Sequence, residues 1–200
     1  MRAAGEATRE RILAAAVGEF AEYGFAGARI NRIAAQARAS KDRLYAYFES
    51  KDDLYAAVTA RWVAETVGEA ALSAADLPGY AGRLFDSFLT HPRNLQLQMW
   101  IELESPDVLH RPGHYRDAWE NKLTEIRRGQ AEGVIDPSWH ASDLLLILTD
   151  VPRTLASAVL LAEKRAGENL AALRASRRAA AVEAARRLTT NAAALSQTRR

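Results

Sequence analysis

The sequence contains no cysteine. Disulfides, thiolate metal ligands and cysteine nucleophiles are therefore excluded, and the composition suits the cytoplasm without requiring it. Glycine (11) and proline (6) are sparse among 200 residues, so few points break the chain. No stretch alternates apolar and polar residues for long, and β-branched residues are few, which leaves little from which to build a sheet. No run of about 18 uncharged apolar residues occurs, so no membrane span is expected. Met1-Arg2-Ala3-Ala4-Gly5-Glu6 carries no apolar h-region, and no secretory signal is expected. There is no GxSxG, no P-loop and no GxGxxG, so the common hydrolase and nucleotide-binding chemistries have no carrier, and no enzyme is expected. His110 and His114 have the i, i+4 spacing of a helical metal pair, but Pro112 and Gly113 lie between them. The segment reads as a loop, and neither a metal nor a cofactor is expected.

What is present is helix-forming. Alanine supplies about a fifth of the residues, with frequent Leu, Arg and Glu, all of high helix propensity. The chain reads as all-α, with Gly and Pro as punctuation. Thr8 is the expected N-cap of a first helix to Tyr23, whose stripe is Ile12, Leu13, Ala16, Phe20 and Ala21. Gly24 falls where a left-handed residue ends it. A second helix spans Arg29 to Ala37, with Ile30, Ile33, Ala34 and Ala37 inward. A third, Lys41 to Tyr47, is capped by Ser40 and turns Leu44 and Phe48 inward. Ser50-Lys51-Asp52-Asp53 resembles a capping box with Asp in the Glu/Gln place; it opens a fourth helix to Ser73. Further helices are expected near 80–90, 92–104, 114–130, 141–162 (with Pro152 inside) and 168–190. Leu195–Arg200 is expected to fray.

The net charge of +2 hides a gradient. Residues 1–51 carry nine Lys/Arg against six Asp/Glu, residues 52–173 eleven against eighteen, and residues 174–200 seven Arg against one Glu. Basic ends suggest anionic partners, unless the arginines only solvate helix faces. Residues 29–51 hold six basic side chains and two acidic ones. Two short helices joined by a tight turn bury little alone and form a packing unit whose second helix stands proud. That helix offers Lys41, Asp42, Arg43, Tyr45, Ala46 and Tyr47, behind the Ser40 hydroxyl. Cations, hydroxyl donors and a protruding helix suit duplex DNA, because a helix fits the major groove and Arg can grip guanine with two hydrogen bonds.

Residues Thr8–Val58 resemble the N-terminal DNA-binding domain of the TetR-like (tetracycline-repressor-like) transcriptional regulators. The resemblance rests on Arg11-Ile12-Leu13-Ala14-Ala15-Ala16, Phe20, Gly24-Phe25, Ile33-Ala34, Ser40-Lys41, Leu44-Tyr45, Tyr47-Phe48, Ser50-Lys51 and Leu54. It covers about a quarter of the chain, and the overall length and helix count also suit the family. It implies nine or so helices. Residues 1–51 would be a helix-turn-helix domain and residues 52–200 a ligand-binding and dimerisation domain. By the resemblance, Ser40, Tyr47 and Lys51 hold phosphates, and Arg29 touches phosphate at the start of the second helix. Lys41, Arg43 and Tyr45 are candidates for base edges or flanking phosphates. Asp42 accepts from a cytosine amino group, orients Arg43, or simply complements its helix N-terminus. Three places depart from the family pattern. Ala28 stands where Thr often caps the second helix. Arg38 stands where Gly usually makes the turn, so either it is left-handed or the turn differs. Ser40-Lys41-Asp42-Arg43 replaces Ser-x-Gly-Thr. These departures keep open an alternative, an all-α ligand-sequestering or interaction protein whose DNA reading has decayed.

The resemblance also implies a small-molecule pocket in helices 4–7. Trp62, Phe85, Phe88, Met99, Trp100, Tyr115 and Trp119 lie there, though an ordinary core would use the same residues. Arg153, beside Pro152, is the best polar candidate. Leu144-Leu145-Leu146-Ile147-Leu148 coats helix 8 nearly all round, so it must be buried on more than one side. Leu170, Leu173, Ala180, Ala184 and Leu188 give helix 9 a stripe rich in small residues. A two-fold four-helix interface follows, and a homodimer would read a palindromic operator. The expected function is a ligand-responsive, homodimeric, DNA-binding repressor.

Overall fold

The computed structural model of the protein describes residues 2–104, 113–163 and 170–189. Among the described residues there are nine α-helices and no strand. They are α1 (Arg2–Gly27), α2 (Ile30–Gln36), α3 (Lys41–Tyr45), α4 (Lys51–Glu69), α5 (Leu77–Thr90), α6 (Pro92–Glu104), α7 (His114–Ala131), α8 (Ala141–Glu163) and α9 (Leu170–Thr189). His110, Arg111, Pro112 and the tail Leu195–Arg200 lie outside the described residues.

Helix α1 runs on to Gly27 and α4 stops at Glu69 rather than Ser73, and two helix starts also correct the sequence expectation. Thr8 does not cap α1, which begins at Arg2. Arg, Ala and Glu upstream of Thr8 are strong helix formers, so the helix propagates through them. The Thr8 hydroxyl instead accepts from Arg11 Nη2 at 3.1 Å. Helix α5 begins three residues before Tyr80, because Asp76 caps it by accepting from Gly79 N–H at 2.8 Å and Pro78 sits in the first turn.

The chain packs as two compact units. The first comprises Met1–Ala64 and Arg93–Arg116. The α1 stripe Ile12, Leu13, Ala16, Phe20 and Ala21 is fully inward and meets Ile33, Ala34 and Ala37 of the α2 region and Leu44 and Phe48 of the α3 region. Leu54, Val58 and Trp62 of α4 and Leu97 and Ile101 of α6 complete this core. At Gly24 the backbone kinks with φ +67. A Cβ there would lie 2.7 Å from both Glu104 Oε1 and the Trp100 ring, so strain and space both demand glycine. Glu104 accepts the N–H groups of Phe25 (2.6 Å) and Ala26 (3.2 Å), and Trp100 Nε1 donates to Ala21 O at 3.1 Å. The end of α1 is thereby pinned to α6.

The second unit comprises Glu65–Pro92 and Asp117–Arg200. Helices α5, α8 and α9 pack on one another. Tyr80, Leu84, Phe85 and Phe88 of α5 meet a core that includes Leu144, Leu145, Leu148, Ala156 and Val159 of α8 and Ala181 and Ala185 of α9. Pro152 is buried inside α8. By length and composition α8 is apolar enough to cross a membrane, with a mean hydropathy of 1.7 over an 18-residue window. Asp150 and Arg153 interrupt the run and pair at 2.7 Å, and the buried side of α8 serves as the core helix of its unit.

Candidate nucleic-acid interface

Helices α2 and α3, of seven and five residues, form a helix-turn-helix. Each depends on bonds from outside itself. Arg29 is the N-cap of α2 and supplies no side-chain cap. Its N–H donates instead to Glu19 Oε1 of α1 at 2.8 Å, and Arg32 Nε donates to the same oxygen at 2.8 Å. Glu19 is only 5% exposed. The N-cap is therefore Arg29 rather than the residue at the Ala28 position, and a carboxylate from the preceding helix anchors the start of α2 in place of a side-chain cap. Glu19 was not foreseen, although the missing cap at Ala28 was itself the signal that an acceptor had to come from elsewhere.

The turn closes as a Schellman motif. Ala39 N–H bonds Ala34 O at 2.9 Å and Arg38 N–H bonds Ala35 O at 3.1 Å. Arg38 takes φ 51, which resolves the two open readings of this turn in favour of the left-handed conformation. A left-handed non-glycine residue costs about 1–2 kcal/mol. Arg11 reaches across from α1 and donates through Nε to Ala37 O at 3.3 Å. Ser40 caps α3 by accepting from Arg43 N–H at 3.1 Å. Ser50 accepts from Asp53 N–H at 3.0 Å, while Asp53 Oδ2 accepts from Glu49 N–H at 3.1 Å, a capping box shifted by one residue because Asp is shorter than Glu.

The predicted DNA-facing side chains fall on one helix-turn-helix and its flanks. Arg29, Ser40, Lys41, Asp42, Arg43 and Tyr45 are exposed, and Tyr47 and Lys51 are half-buried. Tyr47 packs its ring on the unit core, so it is both core and surface. Asp42 lies in the first turn of α3, where its charge complements the helix N-terminus. Two i, i+4 pairs run along the exposed side of the α3 segment. Lys41 Nζ lies 5.8 Å from the Tyr45 ring centroid, and the Arg43 guanidinium 5.3 Å from that of Tyr47. Lys51 Nζ sits 4.7 Å from the Phe25 ring. Phe25 belongs to an aromatic cluster with Phe20 and Tyr55. Burial, reinforced by the Glu104 charge, pushes the Tyr55 hydroxyl up to about 12, so it stays neutral at working pH.

Among the described residues, Arg29, Lys41, Arg43 and Lys51 form no ion pair with a carboxylate. Several arginines of the second unit are paired. Arg83 pairs with Asp76, Arg128 with Glu125 and Glu132, Arg174 with Glu163, and Arg178 with Asp86. Within the helix-turn-helix Arg32 pairs with Glu19, while Arg29, Lys41 and Arg43 carry no such pair among the described residues.

Residues 12–58 match the family model described as bacterial regulatory proteins, tetR family, and residues 76–187 match the tetracyclin repressor-like C-terminal domain. The chain belongs to the TetR family. It is 40% identical over 148 residues to the HTH-type transcriptional repressor SCO4008 of Streptomyces coelicolor, covering 72% of this chain and 75% of that relative. It is 39% identical to SCO4942 of Streptomyces coelicolor, whose crystal structure superposes with a TM-score of 0.75 over 92% of this chain and 99% of that one. A TetR-family transcription regulator from Marinobacter aquaeolei shares the fold at 21% identity, with a TM-score of 0.76 over 96% of this chain and all of that one. The protein is a DNA-binding transcriptional regulator of this family. The departures at Ala28, Arg38 and Asp42 leave its helix-turn-helix intact, for the reasons just given.

The residues assigned to a TetR-family ligand pocket divide between the units. In the first, Trp62 stacks on Tyr115 with centroids 5.5 Å apart, Trp100 is held to α1, and Met99 is 52% exposed. In the second, Phe85 and Phe88 are buried, Trp119 is half-buried, and Arg153 pairs with Asp150. A cavity of about 160 Å³ in the second unit is lined by Ala70, Ala71, Leu72, Ala118, Asn121 and Lys122. On α9 the inward residues are Ala181, Ala185 and Thr189. Ala180 is exposed, and Leu170, Leu173, Ala184 and Leu188 are half-buried, so the expected interface stripe flanks the inward face. No group of three or more His, Asp or Glu side chains that could hold a metal occurs among the described residues.

Glu19→Ala should cost about 1–3 kcal/mol, because it strands the Arg29 N–H and releases Arg32. For a chain of this size that lowers Tm by roughly 2–10 °C. Glu19→Gln, which keeps the acceptor, should lose less. Calorimetry showing no change for Glu19→Ala would remove Glu19 as the anchor of α2.

Proposed function

We propose that this TetR-family protein is a homodimeric repressor that binds a palindromic duplex operator and leaves it when a small-molecule effector binds. The observation that carries the reading is the set of cations around α3 that no carboxylate among the described residues neutralises. DNA phosphates supply the missing charge and release condensed counterions as they do so. Arg29, Ser40, Tyr47 and Lys51 hold the backbone, while Lys41, Arg43 and Tyr45 meet base edges or adjacent phosphates. The repressor name of the Streptomyces coelicolor relative supports repression rather than activation. In this reading the protein works in the cytoplasm, where its operator lies. Residues 1–51 read DNA and residues 52–200 take the effector and the partner subunit.

Dimer formation is supported by apolar surface on α8. Leu146 is 46% exposed and Leu161 55%, on the helix whose other side fills the core of its unit. Apolar patches of this kind mark interaction sites. With the α9 stripe Leu170, Leu173, Ala180, Ala184 and Leu188, they form the proposed two-fold contact. An effector acts only if it binds the DNA-competent and incompetent states with different affinity. Dimerisation and ligand response are typical of the family, and α4 to α7 are the proposed effector-binding helices.

Two experiments test this reading. Arg43→Ala should cost about 1–3 kcal/mol on a duplex selected from a random library by the wild type, and little on unselected duplex. Equal losses on both would move Arg43 to the backbone. Ala184→Glu should give monomers or aggregates in sedimentation and abolish binding to the selected duplex, since one half-site lacks the gain from linking two. A monomeric wild type with full affinity would defeat the two-fold mechanism.

A further inference from the structure

Arg38 is the only non-glycine residue with positive φ among the described residues, at φ 51. The Schellman bonds through Arg38 and Ala39 require that conformation, and glycine adopts it without strain. The arginine side chain brings no visible return within the chain. It is exposed, and no hydrogen bond, ion pair or ring contact engages its guanidinium among the described residues. A strained residue with no intramolecular benefit points to a role outside the fold.

The surroundings say which role. Two peptide steps separate Arg38 from Ser40, so their Cα atoms lie within about 7.6 Å. Arg11 lies against the same turn, bonded only to the neutral acceptors Ala37 O, Thr8 Oγ1 and Ala7 O. Lys41 follows one residue after the cap. Neither Arg11 nor Arg38 pairs with a carboxylate among the described residues. The turn therefore carries concentrated positive charge at the entrance to α3, but outside the helix that would enter a groove. Cations flanking a groove-entering helix suit phosphates rather than base edges.

We propose that Arg38 is a DNA-backbone contact, a phosphate clamp placed in the turn at the expense of local strain. The proposal rests on the DNA-binding reading above and adds a residue to it. It gives one substitution two opposite effects. Arg38→Gly should raise the Tm of the free protein by about 1–3 °C, and it should weaken DNA binding. At 0.15 M salt the loss should be about fivefold for each protomer engaged, with the slope of log K against log salt falling by about 0.9 per protomer. The loss should be the same on unselected 30-bp duplex and on duplex selected by the wild type. Arg38→Asn, which tolerates left-handed backbone, should behave as the glycine variant does. Arg38→Lys should keep both the strain and the slope.

The measurements are calorimetry without DNA and fluorescence anisotropy on both duplexes between 50 and 200 mM salt. A higher Tm with unchanged affinity and slope would overturn the proposal while leaving the regulator reading intact. So would a loss confined to the selected duplex, which marks a base contact, or a lower Tm in both the Gly and Asn variants, which means no strain was relieved. Failure of the wild type to bind either duplex would bring down the regulator reading itself, and Arg38 with it.

Discussion

Helices of seven and five residues do not persist alone in water, because nucleation costs more than one or two turns return. Everything about the DNA-reading part of this chain follows from that constraint. Its two short helices must be held from outside, by packing on α1 and by hydrogen bonds that satisfy their ends. The Ile33, Ala34, Leu44 and Phe48 side chains supply the packing. Glu19 starts α2, Arg11 and the left-handed Arg38 turn end it, and Ser40 starts α3. These bonds use α1 side chains, the Ser40 hydroxyl and the backbone of the turn. The outward side of α3 is left to other tasks.

The electrostatic division between the two units follows the same logic. In the second unit, arginines lie across from acids within hydrogen-bond reach, as Arg178 does with Asp86 at 2.8 Å. Such exposed pairs contribute little to stability, but they leave little net field. Around α3 the cations rest on tyrosine and phenylalanine rings instead. A ring face holds a cation in place without cancelling its charge, at about 0.5–1 kcal/mol for an exposed pair. The helix-turn-helix therefore presents ordered positive charge to a polyanion.

Much of this was legible in the residues. Apolar spacing placed the α1 stripe correctly to the residue, because period 3.6 is a strong signal over 16 residues. Ser40, Ser50 and Gly24 announced their roles because capping and left-handed turns select few residue types. The start of α1 was misjudged because Thr8 has a cap's chemistry while its upstream neighbours keep the helix going. The start of α5 was missed because Asp76-Leu77-Pro78-Gly79 reads as a loop unless Asp76 is taken as the cap. Glu19 and Glu104 were invisible for a different reason: their partners lie 10 and 78–79 residues away, and no local pattern records such a bond. The hydroxyl and cation set of the α3 segment was read from composition and resemblance, and the structure places those residues on one short motif.

In the proposed reading, DNA phosphates supply the counter-charge that no carboxylate among the described residues gives to the cations around α3. The most direct measurement is the salt dependence of wild-type binding to duplex DNA. If Arg29, Arg38 and Lys51 of two protomers all hold phosphates, log K should fall against log salt with a slope of about −5. A slope near zero between 50 and 200 mM salt would contradict the account, since binding would then release few or no counterions.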